Sequence, residues 1–184
     1  MIITLSPSQY DKNNITFSNK SKNNKLDGGE FRRIFYSLPS CSMNGIYLSF
    51  DMDDVCLESY FNKIKCTFDI TKNKDIINTI NDIESGIMSI SPNNGKLPIY
   101  RIYEQLSSGF VKIFTNNEGC KCYKKRIRLV LKISGTWIDS ESCGVTFRFF
   151  FQPSANPLLP FFRNIQHKNI TVADKLSSTG DSSG

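Results

Sequence analysis

The chain has 184 residues, with 23 Lys or Arg against 17 Asp or Glu, a net charge of +6 and a pI near 9.0. That length holds one domain with a core that needs no disulfide or metal, and the positive balance points to an acidic partner such as nucleic acid. No apolar run approaches bilayer length, and the opening MIITLSPSQYDKNN lacks the basic-then-apolar order of a signal peptide, so a soluble, non-secreted protein with no membrane contact is expected.

Asn, Ile and Lys are abundant, as an AT-rich genome would produce. The arginines are therefore the better witnesses for selected charge: Arg32, Arg33, Arg101, Arg126, Arg128, Arg148 and Arg163. The six cysteines, Cys41, Cys56, Cys66, Cys120, Cys122 and Cys143, show neither disulfide nor zinc spacing.

In chain order, residues 1–14 read as an arm or short edge strand, 15–152 as the folded domain and 153–184 as a tail. Residues 19–29, NKSKNNKLDGG, form a basic loop closed by Gly28-Gly29. A strand follows over 30–37, where Phe31, Ile34, Phe35 and Tyr36 interleave with Arg32 and Arg33, and another over 45–52. In the latter Ile46, Leu48, Phe50 and Met52 share one face and Tyr47 takes the other. The acids Asp51, Asp53, Asp54 and Glu58 come next. They read as a solvated turn, the competing reading being a divalent-cation site of the two-metal nuclease kind.

Residues 62–70 alternate, with Ile64, Cys66, Phe68 and Ile70 inward and Lys63, Lys65, Thr67 and Asp69 outward. The spacing of Ile76, Ile80, Ile83 and Ile87 predicts an amphipathic helix over 74–88, capped by Asn73. Two short strands are predicted around 98–103 and over 109–114. The first offers Tyr100, Arg101 and Tyr103. The second, if Val111 and Ile113 face the core, offers Phe110, Lys112 and Phe114 together on the outside. Cys120 and Cys122 lack the second pair or histidines of a metal site.

The stretch Lys124–Gln152 reads as a hairpin. One face carries Ile127, Leu129, Leu131 and Ile133, then Val145, Phe147, Phe149 and Phe151. The other carries Arg126, Arg128, Lys132 and Arg148 with Phe150 and no acid, next to Lys124 and Lys125. A sheet face that is cationic and partly aromatic suits a polyanion with flat bases. Beyond it, PSANPLLPFF is proline-spaced and apolar, and SSTGDSSG has too little apolar content to fold. His167, the single histidine, falls in this tail and reads as solvated.

Alternating strands around one central helix, without a βαβ rhythm, predict a mostly β fold: an antiparallel barrel like the oligonucleotide-binding (OB) fold, with one helix over about 74–88. The segment Leu129–Phe151, with Ser134-Gly135-Thr136-Trp137-Ile138 and then Cys143-Gly144-Val145-Thr146-Phe147, resembles the C-terminal strand pair of single-stranded DNA-binding proteins of large DNA viruses. Those are related to the barrel of the phage T7 single-stranded DNA-binding protein. The resemblance implies a barrel that coats displaced strands during viral DNA replication or recombination, in a host nucleus or a cytoplasmic replication site. In that reading Trp137, in a Gly-x-Trp turn, seals the barrel. The T7-type proteins end in an acidic, aromatic tail, whereas this chain has only Asp174 and Asp181 near its end.

The expectation is thus binding without catalysis or cofactor, to single-stranded DNA with RNA as the alternative. Phosphates would meet Arg32, Arg33, Arg101, Lys112, Lys124, Lys125, Arg126, Arg128, Lys132 and Arg148. Bases would stack on rings drawn from Tyr47, Tyr100, Tyr103, Phe110, Phe114 and Phe150. A homo-oligomer built through residues 153–165 is expected as well. A structural or assembly protein and a metal-dependent nuclease are the competing classes.

Overall fold

In the computed structural model the chain divides into two units, Met1–Gln152 and Pro153–Gly184. The described residues, 3–22, 29–60, 63–114 and 122–151, all lie in the first. The expectations placed on residues 23–28, on Cys120, on Arg163 and His167, and on assembly through 153–165 lie outside the described residues.

The strands, in order, are β1 (Ile15–Phe17), β2 (Ser21–Lys22), β3 (Glu30–Leu38), β4 (Cys41–Asn44), β5 (Ile46–Tyr60) and β6 (Lys63–Phe68). Helix α1 (Lys74–Ile90) follows, then β7 (Leu97–Ile99), helix α2 (Arg101–Ser107), β8 (Phe110–Phe114), β9 (Cys122–Ile138) and β10 (Ser142–Phe151). The fold is mostly β, as the alternation predicts.

Strand β9, 17 residues long, organises the sheet. It pairs with β10 along one edge, and along the other with β5 and then, through Gly135–Ile138, with β3. Strand β6 continues from β5, and β8 from β6. The long strands therefore follow one another as β10, β9, β5, β6, β8, all antiparallel to their neighbours. The ends of this series run parallel and meet through side chains, with the Arg148 guanidinium 5.7 Å from the Phe114 ring centre. No backbone ladder joins β8 to β10 among the described residues, so the sheet curls without closing. The mostly β, antiparallel fold expected above is present, with its sheet left unclosed.

The core is built as period-two strands and a period-3.6 helix require. Ile46, Leu48, Phe50 and Met52 of β5, Leu129, Leu131 and Ile133 of β9, and Val111 and Ile113 of β8 are buried together with Ile77, Ile80, Ile83, Ile87 and Met88 of α1. The helix stripe is rotated slightly from the predicted one, so Ile77 rather than Ile76 is its first buried member. Near the N-terminus, Leu5 bridges to Leu48 of β5 and is buried.

Four further expectations change. Residues 101–107 form a helix, not a strand: Ile102 and Leu106 are buried at helical spacing, and Glu84 of α1 accepts from the backbone N–H groups of Ile102 (3.1 Å) and Tyr103 (2.9 Å). The fold thus has two helices. Gly135-Thr136-Trp137 is continuous strand rather than a turn, and Trp137 packs over Gly144 while donating to the Val145 carbonyl at 3.3 Å. The acids Asp51, Asp53, Asp54 and Glu58 lie within β5 rather than in a turn. Finally, the Asn73 side chain does not cap α1.

Instead Asn73 is buried and ties the helix to the sheet. Its Oδ1 accepts from the Asp53 N–H (2.8 Å), and its Nδ2 donates to the carbonyls of Asp53 (3.0 Å) and Asp69 (2.8 Å). The next residue, Asp54, has φ +52°, a conformation in which Asp is among the few tolerated residues. Across it the buried positions of β5 switch parity, from Met52 to Val55. One strand can thereby serve β9 and β6 in turn.

Candidate nucleic-acid interface

The outward face of the sheet divides into two regions of different electrostatic character. In the first, Asp51 stands directly opposite Arg128, and Asp53 opposite Arg126. Each pair is a two-bond fork. The Arg128 Nε and Nη2 donate to Asp51 at 2.6 and 2.9 Å, and the Arg126 Nε and Nη2 to Asp53 at 2.5 and 3.1 Å. These hydrogen bonds hold both carboxyls below the usual carboxylate range and raise both guanidinium groups.

The expectation of an acid-free arginine face is therefore corrected. The hairpin alone has no acid there, but the neighbouring strand supplies two. The same forks occupy the oxygens that the cation-site reading needs, and among the described residues no group of three or more His, Cys, Asp or Glu is placed to hold a metal. Asp54 accepts from Lys72 and from the Tyr123 hydroxyl, which keeps its carboxyl low as well.

The second region is a stripe of alternating cations and rings that crosses the strands. Tyr47, Lys132 and Arg148 form one row in register over β5, β9 and β10, with the Lys132 Nζ 5.0 Å from the Tyr47 ring centre. Arg148 then meets Phe114 across the open seam, and Lys63, in register with Phe114, lies over the same ring at 4.8 Å. Below them Lys65 and Lys112 oppose each other in register, both over Phe110. Burial of Val111 and Ile113 turns Phe110, Lys112 and Phe114 outward, as expected, and Phe114 is 55% exposed. Glu58 of β5 stands in register with Lys65 on its other side, the nearest acid in that row.

Between the two regions lie two apolar side chains. Val130 sits between Lys132 and Arg128 in sequence and is buried, and Phe150, in register with it, is half-buried. Phe150, expected beside the cations of the hairpin face, thus pairs with Val130 between the two regions.

Other expected residues lie elsewhere. Arg33 donates to Asn44 at 3.3 Å, and Arg32 has its Nε buried, both on β3 at the far end of β9. Tyr100, Arg101 and Tyr103 lie at the start of α2 rather than on the sheet. Lys124 and Lys125 lie at the start of β9. Lys63 and Lys65 join the stripe although they were absent from the expected interface. Their outward alternation was legible, and pairing β6 with β8 would have found them. Tyr123, 62% exposed, is a further ring the sequence reading passed over.

Among the cysteines, burial pushes the Cys66 thiol up to about 12, so it stays a neutral core group. No helix among the described residues is long and apolar enough to cross a membrane. Comparison with protein-family models, with curated proteins and with solved structures finds no match to this chain.

Proposed function

We propose that this chain is a sequence-nonspecific single-stranded DNA-binding protein that holds its ligand along the stripe from Tyr47 to Lys63 and acts without catalysis. The observation that carries the reading is the alternation of ring and cation along that stripe, Tyr47, Lys132, Arg148, Phe114, Lys63, continued by Lys65, Phe110 and Lys112. Phe114, exposed, and Tyr47 and Phe110, half-buried, offer bases stacking platforms, and the cations over and beside them meet the phosphates.

The strand order supports the same reading. In an oligonucleotide-binding barrel the face of the second and third strands meets the ligand. With β5 taken as the first strand, those are β6 and β8, the strands that carry Lys63, Lys65, Phe110, Lys112 and Phe114. The resemblance of Leu129–Phe151 to the single-stranded DNA-binding proteins of large DNA viruses agrees with it, and suggests the coating of displaced strands during replication.

The test is a titration of fluorescent oligo-dT over a range of salt. If Lys63, Lys65, Lys112, Lys132 and Arg148 each neutralise one phosphate, log affinity falls with log salt at a slope of about −3.5. A chain that fails to bind oligo-dT, or binds it with no salt dependence, rules the reading out.

A further inference from the structure

The Arg126 and Arg128 forks have a consequence for how tightly such a ligand is held. We infer that Asp51 and Asp53 act as a built-in phosphate mimic, occupying two guanidinium groups that would otherwise extend the interface, and so restrain affinity for single-stranded nucleic acid. The inference deepens the function proposed above and rests on it.

The geometry is specific. A guanidinium receives a carboxylate and a phosphate through the same paired N–H donors. Both forks present that arrangement, with the acids directly across from the arginines on the neighbouring strand. Arg126 and Arg128 are two positions apart on β9 and Lys132 lies further along the same face, so without the acids the strand would carry a ladder of cations. Two residues of strand advance about 6.6–6.8 Å.

The forks are also open to exchange. Their side chains are 57–63% exposed on the arginine side and 33–40% on the aspartate side. Ion pairs this wet are screened by salt, even though the two-bond geometry makes each stronger than a single-contact pair. A cavity of about 470 Å³ lined by Thr4, Ser6, Ser49 and other residues reaches both Asp51 and Arg128, giving an anion room to approach. A carboxylate held there keeps the arginine in place and cancels its charge.

The experiment compares the wild-type chain with Asp51→Asn/Asp53→Asn in the oligo-dT titration. Asn keeps the shape and one acceptor oxygen. The double variant binds about tenfold more tightly at low salt, and its salt slope is steeper by about 1.4, two further phosphates at 0.7 each. Adding Arg126→Gln/Arg128→Gln to it removes the gain. Asp51→Asn and Asp53→Asn singly give about half the change in slope, and they replace the double variant if circular dichroism shows that it has lost its fold. A wild type that binds, with Asn variants of unchanged affinity and slope, overturns the inference alone. If neither wild type nor variants bind, the underlying function is wrong and the inference goes with it.

Discussion

Lys65 of β6 and Lys112 of β8 stand directly opposite each other, and both ammonium groups lie over the ring of Phe110, at 4.9 and 5.8 Å from its centre. Like charges in direct cross-strand register oppose sheet formation. The negative face of the ring offsets part of that repulsion. Glu58, in register with Lys65 on its other side, offsets a further part, and under the proposed function an arriving phosphate would relieve what remains.

Lys112→Thr therefore separates stability from binding. Removing one of two opposed cations and adding a β-branched residue stabilises the fold by roughly 0.2–1 kcal/mol, seen as a higher urea midpoint. The same change weakens oligo-dT binding. A variant that loses stability, or binds as tightly as wild type, shows that Lys112 serves the sheet instead.

Asn73 gives a test of how helix and sheet are joined. Its amide satisfies both backbone groups of Asp53 at the point where β5 switches parity. Asn73→Ala leaves those groups without their partner and destabilises by about 1–3 kcal/mol. Had Asn73 been only a helix cap, Asn73→Ser would restore the loss, since Ser caps equally well. Because the shorter Ser hydroxyl has one hydrogen to donate, against the two that the Asn73 amide gives to the Asp53 and Asp69 carbonyls, urea denaturation is expected to find both variants destabilised.

Glu84 sets a pH dependence. It is fully buried beneath α2, and burial pushes its carboxyl up against the opposing pull of the Tyr103 and Ile102 N–H groups. A raised carboxyl means the folded chain holds its proton more tightly than the unfolded one. The associated stability is complete below the ordinary glutamate range and is lost as pH rises through the raised value. Glu84→Gln removes that slope, so wild type loses stability relative to the variant as pH increases across this window. Parallel stability curves for the two proteins would mean that Glu84 does not titrate differently on folding.

How far the sequence carried the reading depends on the distance between partners. The inward and outward sets of β6, β8 and β9, and the stripe of α1, were legible because a period of two or 3.6 is local and the segments are long enough to display it; the exception is Ile70, expected inward, which lies past the end of β6 and is exposed. Helix α2 was not. At seven residues it is too short to show its period, its Tyr-Arg-Ile-Tyr start mimics strand alternation, and the acid that receives its first N–H groups sits on another helix. The pairing of the arginines was invisible for the same reason. Arg126 and Arg128 meet acids 73 and 77 positions earlier in the chain, and no pattern within the hairpin announces them. The open seam between β8 and β10 likewise depends on how far the whole sheet curls.

The measurement that bears most directly on the central claim is oligo-dT affinity after removal of the two outward rings of β8. Base stacking on an exposed ring contributes about 1–3 kcal/mol per base, so Phe110→Ala and Phe114→Ala should each weaken binding by about 5- to 150-fold while leaving the salt slope nearly intact. Wild-type affinity in the folded double variant would contradict the account, because the cations alone would then be holding the strand and the rings would have no part in it.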